Sequence, residues 1–483
     1  MEPKLELAIR LPPRGSRERL RSLHRQLRAA ILEGRLRPGL RLPPTRALAA
    51  EYGVGRNTAV ATYDLLLSEG YVVARRGAGT YVANALPQLP ERKVATRTCA
   101  RDRRLTAYWR ELRSLAEGAL PAALRSDFRL GLPDTRRFPF DVWRRLSARA
   151  LRRPSRPTAQ YGEPQGEPAL REAIARHVSF ARAVACRTED IVVTAGAQQA
   201  FDLLARILVT ARESVVAMEE PGYPPLRAVF AAAGARIAAV PVDEEGLVVE
   251  RLPAAARVIC VTPSHQFPLG TVMTARRRAQ LLEFAHARGA VVIEDDYDAE
   301  FRFSGRPLDA LQTLDRGESV FYVGTFSKCL FPALRLGFVV APVWARDALV
   351  AARRLSDWHS AVHEQDTLAA FIAEGHLARH VRRMREIYGV RRERLLDGLQ
   401  KHFTRWLEPL PSAAGLHLAA LAKPEVDVED LVGRARRHEV GVYSLRGYHA
   451  GKPRQSGLVF GYGTIEERAI AEGLMRLRSA WKK

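Results

Sequence analysis

The stretch VGTFSKCLFPALRLG, residues 323–337, decides how most of this chain folds. It begins as an apolar, β-branched run, and Thr325, Ser327 and Lys328 stand where that run stops. Arg335 follows in the same stretch. Polar side chains at the carboxyl end of a buried strand are typical of ligand sites in α/β proteins. The stretch therefore predicts a strand that delivers a lysine to a site.

The runs on either side of this stretch repeat its pattern. From Asp127 onward, helical patterns alternate with the short runs DIVVTAG, ESVVAME, RVICVTPS, AVVIEDD, SVFYVGT and GFVVAP. Near-continuous apolar strands between helices predict a mixed, mainly parallel sheet with helices on both faces. The fold class predicted for residues 127–483 is α/β.

Polar groups end two other predicted strands. VVIEDDYD finishes with Asp295 and Asp296 and is followed by Tyr297, and VVTAGAQQAF passes from a strand through a glycine turn into a helix, which favours an anion site. A partly desolvated lysine beside a buried carboxylate and an anion site fits pyridoxal 5′-phosphate. Each feature alone is ambiguous, because a lone lysine is commonly exposed and GTFSK lacks the spacing of a P-loop. The combination carries the interpretation.

The N-terminal quarter has a different composition. The chain has 483 residues and a net charge of +23, and residues 1–126 hold 24 Lys and Arg against 11 Asp and Glu. The length predicts several domains, and the basic segment predicts a nucleic-acid partner. An arginine-rich genome would give the same charge, so the composition alone leaves both explanations open.

The order of elements in this quarter predicts a winged helix-turn-helix. Helical spacing in residues 20–33 gives a first helix, RALAAEYG a second with Thr45 as its cap, and RNTAVATYDLLLSEG a third capped by Asn57 or Thr58. YVVARRGAGTYVA predicts a hairpin. The third helix would place Arg56, Asn57 and Thr58 in a major groove, with Arg75 and Arg76 at the wing tip. The alternative is a small α+β domain with a solvated basic face.

These patterns divide the chain into residues 1–83, a DNA-binding domain, 84–126, a linker that is partly helical, and 127–483. Four scattered cysteines, no apolar leader and no run long enough to cross a bilayer predict a soluble, cytoplasmic protein without membrane contact. His376 and His380 lie four residues apart but lack an acidic partner, so no metal site is predicted, and we expect them on a solvated basic face.

LRLPPTRALAAEYGVGRNTAVATYDLLLSEGYVVARRGAGTYVA resembles the DNA-binding domain of the GntR family almost throughout. The resemblance implies that Arg46, Arg56, Asn57 and Thr58 contact double-stranded DNA. It also makes Gly77 the glycine of the wing.

The remainder resembles the fold-type I, aspartate-aminotransferase-like proteins that bind pyridoxal 5′-phosphate. The resemblance makes Lys328 the Schiff-base lysine, Asp295 the partner of the pyridine nitrogen, Tyr297 the phenol on the ring oxygen and Tyr223 the stacking aromatic. The positions that match the phosphate cup are Ala197, Gln198, Thr325, Ser327 and Arg335, and Tyr161 matches a tyrosine that reaches the neighbouring subunit's cofactor.

A GntR-like head on such a body resembles the MocR family of bacterial regulators. EEPGYP, VTPSHQFPLG, IEDDYDAEFRFSGRPLDALQ and YVGTFSKCLFPALRLGF agree with it. The resemblance implies a head-to-tail homodimer that regulates transcription and senses an amine, an amino acid or the cofactor itself through aldimine chemistry at Lys328. The alternative is an active aminotransferase with a DNA-binding head.

The chain departs from the aminotransferase pattern at two places. Phe267 stands where those enzymes carry an asparagine, so His265 or Gln266 either replaces that contact with the cofactor or only packs. Val459 stands where they carry an arginine for the substrate carboxylate, which disfavours efficient turnover of amino acids. Arg446 and Arg454 are candidate replacements. Otherwise the effector lacks a carboxylate, binds in another orientation, or is the cofactor.

Overall fold

The computed structural model describes residues 7–13, 15–16, 18–75, 77–84, 104, 106–111, 124–152, 160–303 and 309–481. The chain divides into two compact units, Met1–Arg101 and Asp102–Lys483. Arg76 and most of the predicted linker lie outside the described residues. Among the helices described, none has the length and hydropathy needed to cross a membrane.

The first unit consists of three helices followed by a hairpin: α1 (Arg19–Leu32), α2 (Thr45–Glu51), α3 (Arg56–Ser68), β1 (Val72–Arg75) and β2 (Gly79–Val82). Leu23, Leu27 and Ile31 recur at helical spacing and are buried on one face of α1. They join Tyr63 and Leu66 of α3 in one apolar core. The winged helix-turn-helix arrangement follows from this order of elements.

The predicted side-chain caps of this unit are wrong. α2 follows Pro44 and α3 follows Gly55, and neither helix has a side-chain hydrogen bond at its cap. Since Pro44 and Gly55 occupy the cap positions, Thr45 and the stretch from Arg56 onward already lie inside the first turns. Arg56 is therefore the first residue of the third helix.

The second unit is larger and mixed. Its helices are α4 (Ala107–Glu111), α5 (Phe140–Leu151), α6 (Pro168–Arg182), α7 (Ala197–Leu208), α8 (Pro224–Ala232), α9 (Ala275–Arg288), α10 (Leu311–Leu314), α11 (Arg346–Asp357), α12 (Val362–Ala373), α13 (His376–His402), α14 (Val428–Arg437) and α15 (Glu467–Trp481). Its strands are β3 (Ser126–Asp127), β4 (Ile191–Thr194), β5 (Val215–Glu220), β6 (Arg236–Asp243), β7 (Gly246–Leu247), β8 (Ala256–Val261), β9 (Val291–Asp296), β10 (Val320–Thr325), β11 (Gly337–Val340), β12 (Leu407–Pro409), β13 (His417–Ala422), β14 (Val440–Gly441), β15 (Tyr443–Ser444) and β16 (Gly457–Gly461).

Eight strands form the central sheet in the order β4-β11-β10-β9-β8-β5-β6-β7. The pairs among β10, β9, β8, β5 and β6 are parallel, whereas β11 is antiparallel to both of its neighbours. Every residue of β10 is buried, and separate apolar clusters pack residues from alternating positions of the strands. The predicted mixed, mainly parallel α/β sheet is confirmed.

A second, smaller sheet carries the C-terminal part of the unit, in the order β12-β13-β16-β15. β13 begins with His417, and Val459 lies opposite Ala419 in the antiparallel pairing of β13 with β16. Val459 is fully buried beside Leu269 and Leu445. This sheet supplies one wall of the site described next, because His417 and the preceding Leu416 line that site.

Candidate functional site

A cavity of about 200 Å³ lies where β9 and β10 end and α7 begins. Its lining unites nine of the eleven side chains predicted for the cofactor site: Ala197, Gln198, Tyr223, Asp295, Tyr297, Thr325, Ser327, Lys328 and Arg335. The parallel strands bring them together, because their carboxyl ends meet at one edge of the sheet. Tyr161 and His265 are not among the lining residues.

Lys328 lies on the connection from β10 to β11, residues 326–336, and its Nζ donates a hydrogen bond to Gly131 O at 2.7 Å. Burial lowers the pKa of Lys328, although the carboxylates of Asp298 and Asp295 act in the opposite direction. A lowered pKa increases the fraction of neutral amine, which is the nucleophilic form. The lysine is therefore prepared for attack on a carbonyl carbon.

Asp295 and Asp296 point to opposite sides of β9, since successive side chains of a strand alternate. Asp296 accepts hydrogen bonds from Arg182 Nε at 2.7 Å and Tyr322 Oη at 2.6 Å. Asp295 lines the cavity, and its buried Oδ1 has no hydrogen-bond partner in the described part of the chain. Burial, and then the charge of Asp296, raise the pKa of Asp295 to about 8. Asp295 thus lacks a donor that a bound ligand could provide.

The start of α7 forms an anion cradle. Gly196 caps the helix with φ +82°, and a Cβ there would lie 2.9 Å from Arg335 Nη2. That nitrogen donates to Ala195 O at 2.8 Å, and Thr325 Oγ1 lies 3.1 Å from Ser327 Oγ. A helix N-terminus, a guanidinium and two hydroxyls suit a phosphate group.

Tyr297 connects the cavity to a buried hydrogen-bond network. Its hydroxyl lies 2.9 Å from His265 Nδ1, and the same nitrogen lies 3.1 Å from both carboxylate oxygens of Asp298. His265 is 1% exposed and lies behind Tyr297 and Asp298, which line the cavity. The arrangement does not support direct contact of His265 with a cofactor, because Tyr297 stands between them. Gln266 holds its own loop by donating to Pro221 O and Phe267 O.

Aromatic rings form another wall. Tyr223 and Phe267 meet edge to face with their centroids 5.5 Å apart. Tyr161, by contrast, is 79% exposed and stacks on Trp358 outside this cavity. Its predicted contact with a neighbouring subunit remains a prediction.

The lining residues that the sequence interpretation missed include Gly131, Asp298 and His417. Asp298 had a signal, as the last acid of EDDYD, two positions beyond Asp296. Gly131 and His417 had none, because only the tertiary fold brings them to Lys328. Together with His265, Asp298 and His417 place ligand-type atoms within 4.8 Å of one another.

The remaining candidates lie elsewhere. Arg446 and Arg454 are exposed and do not line the cavity. The expectation that His376 and His380 share a solvated face is wrong for His380, which is buried beside Phe138, and burial lowers its pKa to about 4.

The predicted DNA-contacting side chains occupy the surface of the first unit. Arg46, Arg56 and Asn57 are exposed at the starts of α2 and α3, and Thr58 is half-buried. In the hairpin, Gly77 has φ +74°, and the exposed Arg75 packs its guanidinium over the Tyr81 ring at 4.6 Å.

Comparison with known proteins agrees with both units. Residues 130–459 match the family model described as aminotransferase class I and II, and residues 21–82 match that of bacterial regulatory proteins of the gntR family. The kynurenine aminotransferase of Pyrococcus horikoshii superposes with a TM-score of 0.71 at 25% identity, covering 77% of this chain and 95% of that one. The α-aminoadipate aminotransferase LysN of Thermus thermophilus was solved with N-(5′-phosphopyridoxyl)-L-leucine. It superposes with a TM-score of 0.70 at 28% sequence identity, covering 77% of this chain and 95% of that one. The class is thus an aminotransferase fold joined to a helix-turn-helix domain.

Two regulators are similar along nearly their whole length. The probable rhizopine catabolism regulatory protein MocR of Rhizobium meliloti is 38% identical over 95% of this chain and 93% of its own. The pyridoxine biosynthesis transcriptional regulator PdxR of Corynebacterium glutamicum is 32% identical, with 98% of each chain covered. The chain belongs to the MocR family of transcriptional regulators. It is a DNA-binding regulator whose cofactor is pyridoxal 5′-phosphate.

The residues of the cavity fit that cofactor. The unpartnered carboxylate of Asp295 suits a protonated pyridine nitrogen, and the cradle at Gly196 suits the phosphate. Lys328 supplies an amine of lowered pKa in the same cavity.

Proposed function

We propose that this regulator senses a small effector, namely an amine, an amino acid or the free cofactor, at Lys328 and adjusts its binding to operator DNA accordingly. The observation that carries the proposal is the presence in one cavity of a lysine of lowered pKa and a buried carboxylate without a partner. The cofactor, when bound, supplies an aldehyde carbon that exchanges one amine for another.

Individual residues have separate tasks in this proposal. Lys328 provides the covalent attachment, and its Nζ can return to Gly131 O when an effector amine displaces it. Asp295 would orient the ring by accepting a hydrogen bond from its protonated nitrogen. Tyr297, held by His265, directs its hydroxyl toward the ring oxygen, and Tyr223 packs on the ring. Release of Lys328 is the local change that an effector produces.

DNA binding is assigned to the first unit. Arg56, Asn57 and Thr58 would reach base edges from the first turn of α3, while Arg46 and Arg75 would contact phosphates. The wing tip, with Arg76 and Gly77, would reach the backbone or the minor groove.

We further propose that two chains form a head-to-tail homodimer. The exposed Tyr161 supports this, since its ring stacks on Trp358 and does not line the cavity of its own chain. In a dimer, Tyr161 would reach the phosphate of the partner's cofactor. An effector can shift the dimer between two DNA-bound arrangements only if it binds them with unequal affinity.

The test is the visible absorbance spectrum of the purified holoprotein during addition of amines, amino acids and free cofactor. A band that shifts, persists and accompanies a change in DNA affinity supports the sensor. A band that decays while keto acid is released, and that a second keto acid restores, would instead establish an active aminotransferase.

A further inference from the structure

We infer that the effector is an amine that carries hydroxyl or amino groups but no carboxylate. The inference rests on the proposed sensing at Lys328 and narrows it to one chemical class. It comes from the charges that remain in the cavity once the cofactor has its partners.

Four charged side chains line the cavity in the part of the chain that the structure describes: Asp295, Asp298, Lys328 and Arg335. Three have a task toward the cofactor, because Lys328 binds it, Arg335 belongs to the anion cradle and Asp295 lacks a donor. Once an effector releases Lys328, the Nζ of that lysine returns to Gly131 O, so in the described cavity the carboxylate of Asp298 is the charge without a task toward the cofactor.

Asp298 is 1% exposed. Burial lowers the pKa of Lys328, the amine that the cofactor engages, and the charge of Asp298 acts to raise it. The backbone N–H of Leu416 donates to the Asp298 carboxylate at 3.3 Å, and His265 Nδ1 lies 3.1 Å from it. Within the described residues, no Lys or Arg nitrogen forms an ion pair with it. A second carboxylate beside this buried anion would be repelled, whereas an amine or a hydroxyl would be attracted.

His417 adds a hydrogen-bond acceptor rather than a cation. Burial lowers the pKa of His417 well below its ordinary value, so the ring is neutral near pH 7. Its Nε2 lies 3.1 Å from Pro268 O, which can only accept, so Nε2 carries the single ring proton. Nδ1 is consequently an acceptor, which favours ligands with O–H or N–H groups.

The rest of this wall is apolar. Leu132, Phe267 and Leu416 line it, and fully buried Val459 lies on the same sheet face as His417. Together with Asp298 and His417, these residues offer no cationic side chain to a carboxylate. They can enclose the carbon chain of an amine and accept hydrogen bonds from its polar end.

The deciding experiment uses the full-length holoprotein and three compounds that share a five-carbon chain: 5-aminopentanol, pentylamine and 5-aminopentanoate. Their amines have similar basicity, so exchange with Lys328 is comparable. Affinity is measured by calorimetry and by the shift of the visible band. We expect the alcohol to bind at least ~10-fold more tightly than the carboxylate, a difference of about 1.4 kcal/mol. Equal or tighter binding of 5-aminopentanoate would overturn the inference.

Asp298→Asn tests the cause, since it removes the charge but keeps the shape. In this variant the affinities for 5-aminopentanol and 5-aminopentanoate should become nearly equal. The control Asp141→Asn, at an exposed position, should keep the difference between them. An unchanged preference in a folded Asp298→Asn protein would refute the role of this carboxylate. If the variant does not fold, the three compounds on the natural protein still decide the class of effector.

Failure of the proposed function has a different signature. In that case none of the compounds would move the band or alter affinity for a duplex that the protein selects from a random library. Binding of 5-aminopentanoate together with a DNA response would leave the sensor intact and remove only the exclusion of carboxylates.

Discussion

The two units use the same kinds of charged side chain in opposite environments. Arg46, Arg56 and Arg75 lie exposed on the first unit, where water and salt screen them. Asp295 and Lys328 line a cavity in the second unit, and burial shifts the pKa of each. Each exposed charge adds a small, separate amount to the binding free energy. A buried charge is costly unless a specific partner is present to compensate it. We therefore expect substitutions in the first unit to weaken DNA binding by small, salt-dependent amounts. In the second unit we expect large, pH-dependent losses of cofactor binding.

The strongest test of this contrast is Lys328→Ala. The variant should lose the visible band of the bound cofactor completely, because no other lysine lines the described cavity. Its affinity for DNA without effector should change less than about 3-fold, since the first unit has its own core. Absorbance and fluorescence anisotropy measure the two quantities, with exposed Lys423→Ala as the control. Loss of DNA binding as well would show that the units do not act separately.

Asp295→Asn should weaken cofactor binding roughly 10- to 100-fold, because a charge-assisted hydrogen bond contributes about 1.5–3 kcal/mol. It should also change stability without cofactor. The pKa of Asp295 is raised to about 8, so the native state holds a proton that the unfolded state releases near pH 4. The favourable contribution of this carboxyl is thus complete below about pH 4 and decreases as pH rises toward 8.

Urea unfolding of the cofactor-free proteins at pH 5 and pH 8 measures this effect. Relative to the natural protein, Asp295→Asn should become more stable at the higher pH. The neighbouring Asp296→Asn is a matched control, because it breaks the buried pair with Arg182 and should destabilise by about 3–5 kcal/mol. The same pH response in both variants would contradict the assignment of Asp295.

In the first unit, Arg56→Ala should weaken binding to a selected operator by about 1–3 kcal/mol and relax its base preference. Arg75→Ala should weaken binding to all sequences alike and reduce the salt slope by about 1. Affinity on operator and random duplexes over a range of salt distinguishes the two. Equal, sequence-independent losses would refute the placement of α3 in the major groove.

The smallest expected effect belongs to His265. His265→Leu removes the hydrogen bond to the Tyr297 hydroxyl and should move the pH midpoint of the visible band by about one unit. His265→Asn keeps a polar group near the position of Nδ1 and should restore part of the shift. If both variants keep the natural midpoint, His265 serves only packing.

Much of the second unit could be predicted because its chemistry lies at the ends of strands. Asp295 and Lys328 follow apolar runs that only buried strands can satisfy, and Gly196 marks the turn into a helix. The periodicity of such runs is local, so a linear pattern identifies them. The same holds for α3, whose first turn begins at Arg56 as the groove assignment requires.

What escaped prediction depends on contacts between distant segments. Gly131 and His417 reach Lys328 only because the smaller sheet packs beside the larger one, and no spacing in the sequence encodes that. The sequence left open whether His265 contacts the cofactor or only packs, and in the structure its Nδ1 lies 2.9 Å from the Tyr297 hydroxyl, a contact that the pattern does not encode. The predicted helix caps were wrong for a local reason, because Pro44 and Gly55 occupy the cap positions that a polar side chain was expected to take.

The reversed strand β11 has a consequence for how this site can be altered. Thr325 pairs with Gly337, so residues 326–336 leave the sheet and return to it as one short connection that holds both Lys328 and Arg335. The proposed Schiff-base lysine and the proposed phosphate-binding arginine therefore lie on one connection that is fixed at both ends by adjacent hydrogen-bonded strands. We expect an insertion or deletion between Lys328 and Arg335 to displace one of the two side chains relative to the other, and so to affect both proposed contacts with the cofactor together.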